Sequence, residues 1–267
     1  MSMSDTKPEY GDDLRLAHVL ADQADAQTMA RFRALDLKVE TKPDLTPVSD
    51  ADRDVEQLIR AQLSRTRPRD AILGEEFGET GHGPRRWIVD PIDGTKNYIR
   101  GVPVWATLIA LLDGDNPVVG LVSAPALGRR WWAAQGSGAW TGRSLSAARR
   151  IEVSGVSALA DASFSYSSLS GWEEQDRLLG LLNLTRQVWR TRAYGDFWSH
   201  VLVAEGAVDI SAEPELSLHD MAALVQMVTE AGGTFTSVTG VAGPWGGSAL
   251  VSNGKLHSAA MSLLDPL

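Results

Sequence analysis

Residues 87–97 read WIVDPIDGTKN and contain two aspartates, Asp90 and Asp93, three positions apart. The apolar run before Asp90 is typical of a buried strand, and the proline after it fixes the backbone between the two acids. Gly94 permits a tight turn, and Thr95 is a residue type that caps helices. The stretch therefore predicts a corner where two carboxylates at a strand end meet a helix N-terminus.

Two carboxylates this close repel each other unless a proton or a cation lies between them. Oxygen ligands in a chain without cysteine favour Mg²⁺ or Mn²⁺ over zinc, and helix N-termini bind phosphate. Metal ions beside phosphate indicate phosphoryl transfer or phosphate ester hydrolysis. A simpler interpretation is that Asp93 caps the helix and Asp90 is a surface acid beside a turn.

Composition narrows the possible partners. The 267 residues include 25 basic and 34 acidic side chains, for a net charge of −9, which argues against nucleic acid or an anionic membrane as the main partner. The lack of cysteine excludes disulfides and cysteine nucleophiles. No apolar run approaches the ~20 residues of a membrane span, and the first 13 residues lack a signal pattern. We therefore expect a cytoplasmic protein.

The remaining pattern predicts an α+β or layered α/β fold. Helical spacing of apolar residues predicts a helix over 12–35, and Ser49 resembles the N-cap of a second helix. Strands are predicted over 71–76, 104–112, 118–124 and 129–134. After about residue 150 strands and helices alternate without a regular βαβ repeat. We expect a mobile tail over 1–12, an N-terminal lobe over 13–150 carrying most metal ligands, and a C-terminal lobe over 151–267.

Other acids stand at similar places in these elements. Glu75 and Glu76 follow the strand that begins near residue 71, and Asp220 lies at the start of a helix. Asp52 follows Ser49 by three residues, as in a capping box. Taken singly, each of these acids has an ordinary interpretation as a helix cap or a solvated side chain.

Three motifs together resemble a known family. They are GEE (74–76), WIVDPIDGTKN (87–97) and HDMAALVQMVTEAGG (219–233), and they resemble the inositol monophosphatase-like phosphatases, which share a fold with fructose-1,6-bisphosphatase. The similarity covers nearly the whole chain. It implies a layered α/β/α/β/α sandwich and a Mg²⁺-dependent phosphate monoesterase, usually a dimer, with two or three Mg²⁺ ions per site that Mn²⁺ can replace.

The resemblance also assigns roles to individual residues. It implies a set of metal ligands made of Glu75, Asp90, the Ile92 carbonyl, Asp93 and Asp220. Glu75 would also contact a third ion and belongs to the catalytic set. In that set Thr95 would orient the attacking water, with Asp52 as its hydrogen-bond partner. Asp93, Gly94 and Thr95 would hold the phosphate. Lys42 lies near a lysine of the family's loop, and His219 replaces the tryptophan that commonly precedes the late aspartate.

Substrate specificity is expected from the C-terminal lobe. Asp196, in RAYGDFWSH (192–200), and Glu213 match positions that meet the leaving alcohol, together with Asp220 and Arg192. Two acids suit an ammonium or an imidazolium better than a neutral polyol, and the pairing of DGTKN with RAYGD resembles the branch that hydrolyses histidinol phosphate. Alternatively, Asp196 caps the following helix and faces solvent, or Arg192 pairs with it and removes its charge from the pocket.

Other functions remain open at this point. The main alternative is an inositol-1-phosphate phosphatase or a broad sugar-phosphate phosphatase. Adenosine and fructose bisphosphates fit less well, because the acidic pocket offers little for a second phosphate. A catalytically inactive regulatory relative should have lost metal ligands, whereas all four acidic ligands are present. In every case the predicted partner is a small phosphate ester.

Overall fold

The computed structural model describes residues 10–43, 45–167 and 169–264. Eight α-helices lie within these ranges: α1 Gly11–Arg31, α2 Asp50–Thr66, α3 Thr95–Ile99, α4 Leu169–Glu174, α5 Leu178–Thr185, α6 Asp196–Ala204, α7 Leu218–Glu230 and α8 His257–Leu264. No helix of these ranges is long and apolar enough to cross a membrane.

The same ranges contain fifteen strands. They are β1 Val39–Thr41, β2 Pro47–Ser49, β3 Ala71–Gly74, β4 Gly78–Thr80, β5 Arg85–Asp93, β6 Ala106–Asp113, β7 Asn116–Ala124, β8 Arg129–Ala134, β9 Ala139–Gly142, β10 Ala148–Ile151, β11 Ser163–Tyr166, β12 Arg190–Arg192, β13 Ile210–Glu213, β14 Thr234–Thr236 and β15 Ala249–Ser252. β1 and β2 form a small hairpin, and the other strands form two sheets, ordered β10-β9-β8-β7-β6-β5-β3-β4 and β12-β11-β13-β15-β14.

The two sheets alternate with three layers of helices. α1 and α2 cover one face of the eight-stranded sheet through an apolar cluster that includes Leu20 and Ile59. α6 and α7 fill the space between the sheets, with Val201 and Leu224 in the shared core. α5 and α8 cover the far face of the five-stranded sheet. The predicted α/β/α/β/α sandwich is confirmed.

Helix α7 shows why the middle layer is apolar on all sides. Its residues from Met221 to Val228 are all buried, which is expected of a helix enclosed between two sheets. α2, at the outside of the fold, instead buries only one stripe that includes Val55, Ile59 and Leu63. Because α6 and α7 pack on the eight-stranded sheet, the two lobes predicted from sequence share one core, and the division near residue 150 stays a prediction.

Some predicted boundaries differ from the structure. Residues 1–9 of the predicted tail lie outside the described residues, but Tyr10 is buried and α1 already begins at Gly11. α1 also ends at Arg31 and not at residue 35. The chain turns there because Phe32 is extended and its ring packs 5.4 Å from the rings of Tyr98 and Trp105. The predicted antiparallel strands are confirmed as β6, β7 and β8.

A buried charge network joins α1 to the eight-stranded sheet. The Arg130 guanidinium, 6% exposed, lies 2.6 Å from the Asp25 carboxylate and 2.8 Å from that of Asp22. Its Nη1 also lies 3.2 Å from His18 Nδ1. Burial, with the adjacent Arg130, lowers the pKa of His18 to about 4. The network therefore favours the neutral form of this histidine.

This network predicts a stability that depends on pH. The unfolded chain protonates His18 near its ordinary pKa of about 6.5, whereas the folded chain resists protonation until about pH 4. The contribution of neutral His18 to the free energy of unfolding is thus complete above the unfolded pKa. It is lost as the pH falls from about 6.5 to about 4, by about 2 kcal/mol after solvent screening. Urea unfolding of the wild type and of His18→Asn, which keeps an acceptor for Arg130, should diverge by this amount. Asp25 titrates in both proteins, so parallel curves would contradict the assignment to His18.

Candidate active site

An open cleft of about 440 Å³ lies between the elements of the two predicted lobes. Five of the acids predicted from sequence line it: Glu75, Asp93, Asp196, Glu213 and Asp220. They come from different elements that the fold brings together, namely the loop after β3, the end of β5, the start of α6, the end of β13 and the first turn of α7. Acids therefore outnumber the two lysines of the lining, Lys42 and Lys96.

Three of the acids form a compact cluster on one side. One carboxylate oxygen each of Asp90, Asp93 and Asp220 lies within 4.8 Å of the others. The pairing of β5 with β6 shifts register between Asp90 and Asp93, and such an irregularity re-aims side chains at a strand end. Asp220 is the third residue of α7 and closes a capping box with Ser217. The corner predicted from WIVDPIDGTKN is thus the place where the cluster forms.

The cluster fits a divalent cation. Burial and the neighbouring acids raise the pKa of both Asp90 and Asp93 well above the usual range, and burial raises that of Asp220. Backbone N–H groups hold each carboxylate from one side: Ile92 donates to Asp90, Phe197 to Asp93 and Ser217 to Asp220. Pre-oriented carboxylates with uncompensated negative charge are the ligand type that Mg²⁺ and Mn²⁺ prefer.

Glu75 lies in the cleft but outside this compact group. Its Oε1 lies 2.7 Å from Lys42 Nζ, which also lies 2.6 Å from Glu76 Oε1. Burial alone would lower the pKa of Lys42, but the two ion pairs raise it, so the ammonium stays charged. In this arrangement Lys42 offsets one of the two glutamate charges, and the ligand role of Glu75 stays a prediction.

Thr95 and Asp52 are in contact, as predicted. Thr95 Oγ1 lies 3.0 Å from the Ile92 carbonyl oxygen and 3.3 Å from Asp52 Oδ1, and its single proton can be donated to either acceptor. Asp52 also closes the capping box of α2 with Ser49, and burial raises its pKa to about 6. The expectation that Thr95 itself caps the short helix α3 is wrong, because Gly94 takes the cap position with a φ of 83°. Thr95 can therefore turn its hydroxyl toward Asp52.

Asp196 lies beside Asp93 and Gly94 in the cleft: the backbone N–H of the next residue, Phe197, donates to Asp93, and a Cβ on Gly94 would lie 3.3 Å from Asp196 Oδ2. Its Oδ2 accepts a hydrogen bond of 2.9 Å from Asn97, whose amide also donates to the Val104 carbonyl. The residue has a φ of 50°, a left-handed conformation that aspartate adopts more often than most other residues with a Cβ. Burial and the nearby Glu213 raise the pKa of Asp196 to about 7. Asp196 begins α6, yet it faces the cleft and is not a solvent-facing cap.

Glu213 is buried in the cleft lining, whereas Arg192 is exposed on β12. Glu213 is 6% exposed, and its Oε1 lies 3.4 Å from Nε2 of His200. Arg192 is exposed on β12 and donates to the Thr191 carbonyl at 2.7 Å; among the described residues it is not part of the cleft lining. Because Arg192 is exposed and directed to the Thr191 carbonyl, its position does not support the alternative in which Arg192 neutralises Asp196.

Sequence reasoning missed Glu56, which supports the metal side of the cleft. Glu56 is fully buried in α2 and accepts hydrogen bonds from the backbone N–H groups of Glu76 and Phe77 and from Arg60. It fits because Gly74 leaves room, and a Cβ at that position would overlap the Glu56 carboxylate. The only signal in the sequence is the Glu56–Arg60 spacing of four on a helix, which is equally typical of a solvated face.

Gly74→Ala should therefore damage both stability and activity. The new methyl group must displace the buried carboxylate that fixes the backbone after β3, at a cost of about 2 to 3 kcal/mol, and Glu75 would move with that backbone. Urea unfolding and phosphate release measure the two effects. Gly155→Ala is a matched control, since its Cβ would meet only the tip of Lys255 at 3.9 Å. Equal stability of the two variants would contradict the role of Glu56.

Fold and acid cluster together define a phosphatase of the class that uses divalent cations. A model described as the Inositol monophosphatase family matches residues 13–265, and the chain belongs to this family.

Similar proteins agree with this class. The chain is 69% identical over 262 residues to a histidinol-phosphatase of Streptomyces coelicolor, covering 97% of this chain and 98% of that protein. It is 59% identical to a histidinol-phosphatase of Mycobacterium tuberculosis, covering 95% and 98% of the two chains. Among solved structures, the extragenic suppressor protein suhB of Bartonella henselae superimposes with a TM-score of 0.87 at 29% identity, covering 95% and 98% of the two chains.

Proposed function

We propose that the chain is a Mg²⁺-dependent histidinol-phosphatase, which hydrolyses histidinol phosphate to histidinol and phosphate in histidine biosynthesis. The observation that carries the proposal is Asp196, a carboxylate fixed by Asn97 in the cleft lining beside the acid cluster. A positively charged leaving alcohol gives this carboxylate a charge-assisted hydrogen bond, whereas the hydroxyls of a polyol offer only neutral donors. The names of the Streptomyces and Mycobacterium relatives support the same substrate.

Different residues of the cleft would have different roles in the reaction. Divalent cations held by Asp90, Asp93, Asp220 and Glu75 would supply Lewis-acid activation of water and neutralise phosphate charge. Thr95, bonded to Asp52, would orient the attacking water, and Gly94 and Thr95 would offer backbone N–H groups to the phosphate. Asp196 and Glu213 would hold the alcohol so that its oxygen, the leaving group, stays in line with the attacking water.

The proposal also covers features beyond the single chain. We infer Mg²⁺ as the natural ion, two or three per site with Mn²⁺ as a substitute, a homodimer, and a cytoplasmic location. Treatment with a chelator should remove activity, and Mg²⁺ or Mn²⁺ should restore it. Sedimentation velocity would test the dimer directly.

Substrate choice is tested by phosphate release with Mg²⁺ from four esters: histidinol phosphate, inositol-1-phosphate, fructose bisphosphate and adenosine bisphosphate. We expect the highest kcat/KM with histidinol phosphate. Inositol-1-phosphate is the second candidate, because the family is defined by it. If it were preferred by about tenfold in kcat/KM, equal to about 1.4 kcal/mol, the proposed substrate would be wrong while the phosphatase class would stand.

A further inference from the structure

One buried histidine of the cleft wall has no role in the reaction described so far. His200 follows Asp196 by one helical turn on α6 and lines the same cleft, and its side chain is 1% exposed. Ser211 and Glu213 stand two residues apart on β13, so their side chains share one face of that strand. The imidazole ring spans them: Nδ1 lies 2.9 Å from Ser211 Oγ, and Nε2 lies 3.4 Å from Glu213 Oε1.

The two facing atoms lack other support. Neither His200 Nε2 nor Glu213 Oε1 has a hydrogen-bond partner within the described ranges, and their 3.4 Å separation is longer than a well-formed N–H···O bond. Buried polar atoms without partners are costly, so a fold keeps them where a site uses them. Here the pair lines the same cleft as Asp196, the residue proposed to meet the alcohol.

We propose that His200 positions the Glu213 carboxylate and thereby sets the preference of the cleft for a leaving alcohol that carries positive charge. This role of His200 requires the tautomer with the imidazole proton on Nε2, which faces the Glu213 carboxylate at 3.4 Å, so that the Ser211 hydroxyl is the donor to Nδ1. Glu213 then stays an acceptor with one oxygen restrained, and its charge remains available to the substrate. A side chain that cannot donate from this position leaves the carboxylate free to rotate away.

This inference rests on the proposed function, because it concerns the charge of that substrate's alcohol. A positioning role of His200 should affect activity on a cationic ester and on a neutral ester differently. Loss of the donor should weaken binding of a cationic ester and spare a neutral one, since both place their phosphate at the same acid cluster. A purely structural role of His200 would instead lower the activity on both esters together.

The experiment compares histidinol phosphate with glycerol 2-phosphate, whose alcohol is neutral. In His200→Phe we expect KM for histidinol phosphate to rise by about tenfold with kcat within about threefold, and both constants for glycerol 2-phosphate to stay within about threefold. His200→Gln, whose amide N–H can replace Nε2–H, should restore KM. If thermal melting shows that His200→Phe does not fold, Ser211→Ala decides, with a smaller shift in the same direction.

His257→Phe is the matched control, since His257 is also a buried histidine held by two hydroxyls, Ser252 and Thr236, but lies outside the cleft lining. It should leave the ratio of the two substrates unchanged. Parallel losses on both substrates in His200→Phe, or no rescue by glutamine, would overturn the role of His200. A wild-type enzyme that favours inositol-1-phosphate would instead overturn the proposed function and this inference with it.

Discussion

Asp93→Asn should abolish phosphate release and, in the same protein, raise the thermal stability of the metal-free chain. The amide keeps an acceptor for the Phe197 N–H, which lies 2.8 Å from Asp93, so the fold is preserved. Turnover should fall by about a thousandfold or more, because one of the carboxylates that would hold a divalent cation is lost.

The metal-free Asp93→Asn variant should be more stable than the metal-free wild type for an electrostatic reason. Burial and the neighbouring acids, Asp196 first among them, raise the pKa of Asp93 well above the usual range, so its ionised form is disfavoured in the metal-free fold. Neutralising it removes repulsion, and we expect the melting temperature to rise by about 2 to 4 °C without metal. Added Mg²⁺ should then stabilise the variant less than the wild type.

Asp115→Asn, an exposed acid in the turn between β6 and β7, is the control for charge alone. It should change neither turnover nor the response to Mg²⁺. Near-normal activity of Asp93→Asn would remove Asp93 from the ligand set, and a lower melting temperature without metal would contradict the repulsion.

Asp196→Asn should separate the cationic substrate from neutral ones. Asparagine tolerates the φ of 50° at this position and can still accept from Asn97, so only the charge is removed. A hydrogen bond to a charged group contributes about 1.5 to 3 kcal/mol, so kcat/KM for histidinol phosphate should fall by roughly 10- to 100-fold. Glycerol 2-phosphate should be hydrolysed within about threefold of the wild-type rate.

The chain offers a close control for this substitution. Asp176 also has a positive φ, 55°, but it is exposed and does not line the cleft. Asp176→Asn should behave as wild type on both substrates. If Asp196→Asn loses activity equally on both esters, Asp196 supports the catalytic side of the cleft and does not select the alcohol.

The parts of the fold that follow local pattern were predictable. WIVDPIDGTKN predicted a strand end and a helix start, which the structure has as β5 and α3. The capping-box pair of Ser49 and Asp52 was also readable from spacing, because both residues belong to one turn. Three acids of the predicted ligand set meet within 4.8 Å, since each stands at a strand end or a helix start of a recognisable motif.

The rest depended on contacts between distant parts of the chain. Glu56 follows a buried valine on α2, and no periodicity indicates that it is fully buried beneath the loop after β3. Asn97 supports Asp196 from 99 positions away. His200 lies on a helix enclosed between two sheets, where a histidine is usually a satisfied core residue. Arg192 precedes Asp196 by only four residues, but it lies exposed on β12.

The hydrogen bond from Phe197 to Asp93 has a consequence for how the enzyme responds to its ligands. The Asp93 carboxylate belongs to the acid cluster and also accepts a hydrogen bond from the first turn of α6, the helix that carries Asp196 and His200. We therefore expect the binding of a divalent cation at the acid cluster and the binding of the alcohol to be energetically coupled. Linkage is reciprocal, so whatever factor Mg²⁺ contributes to the affinity for histidinol, histidinol must contribute to the affinity for Mg²⁺.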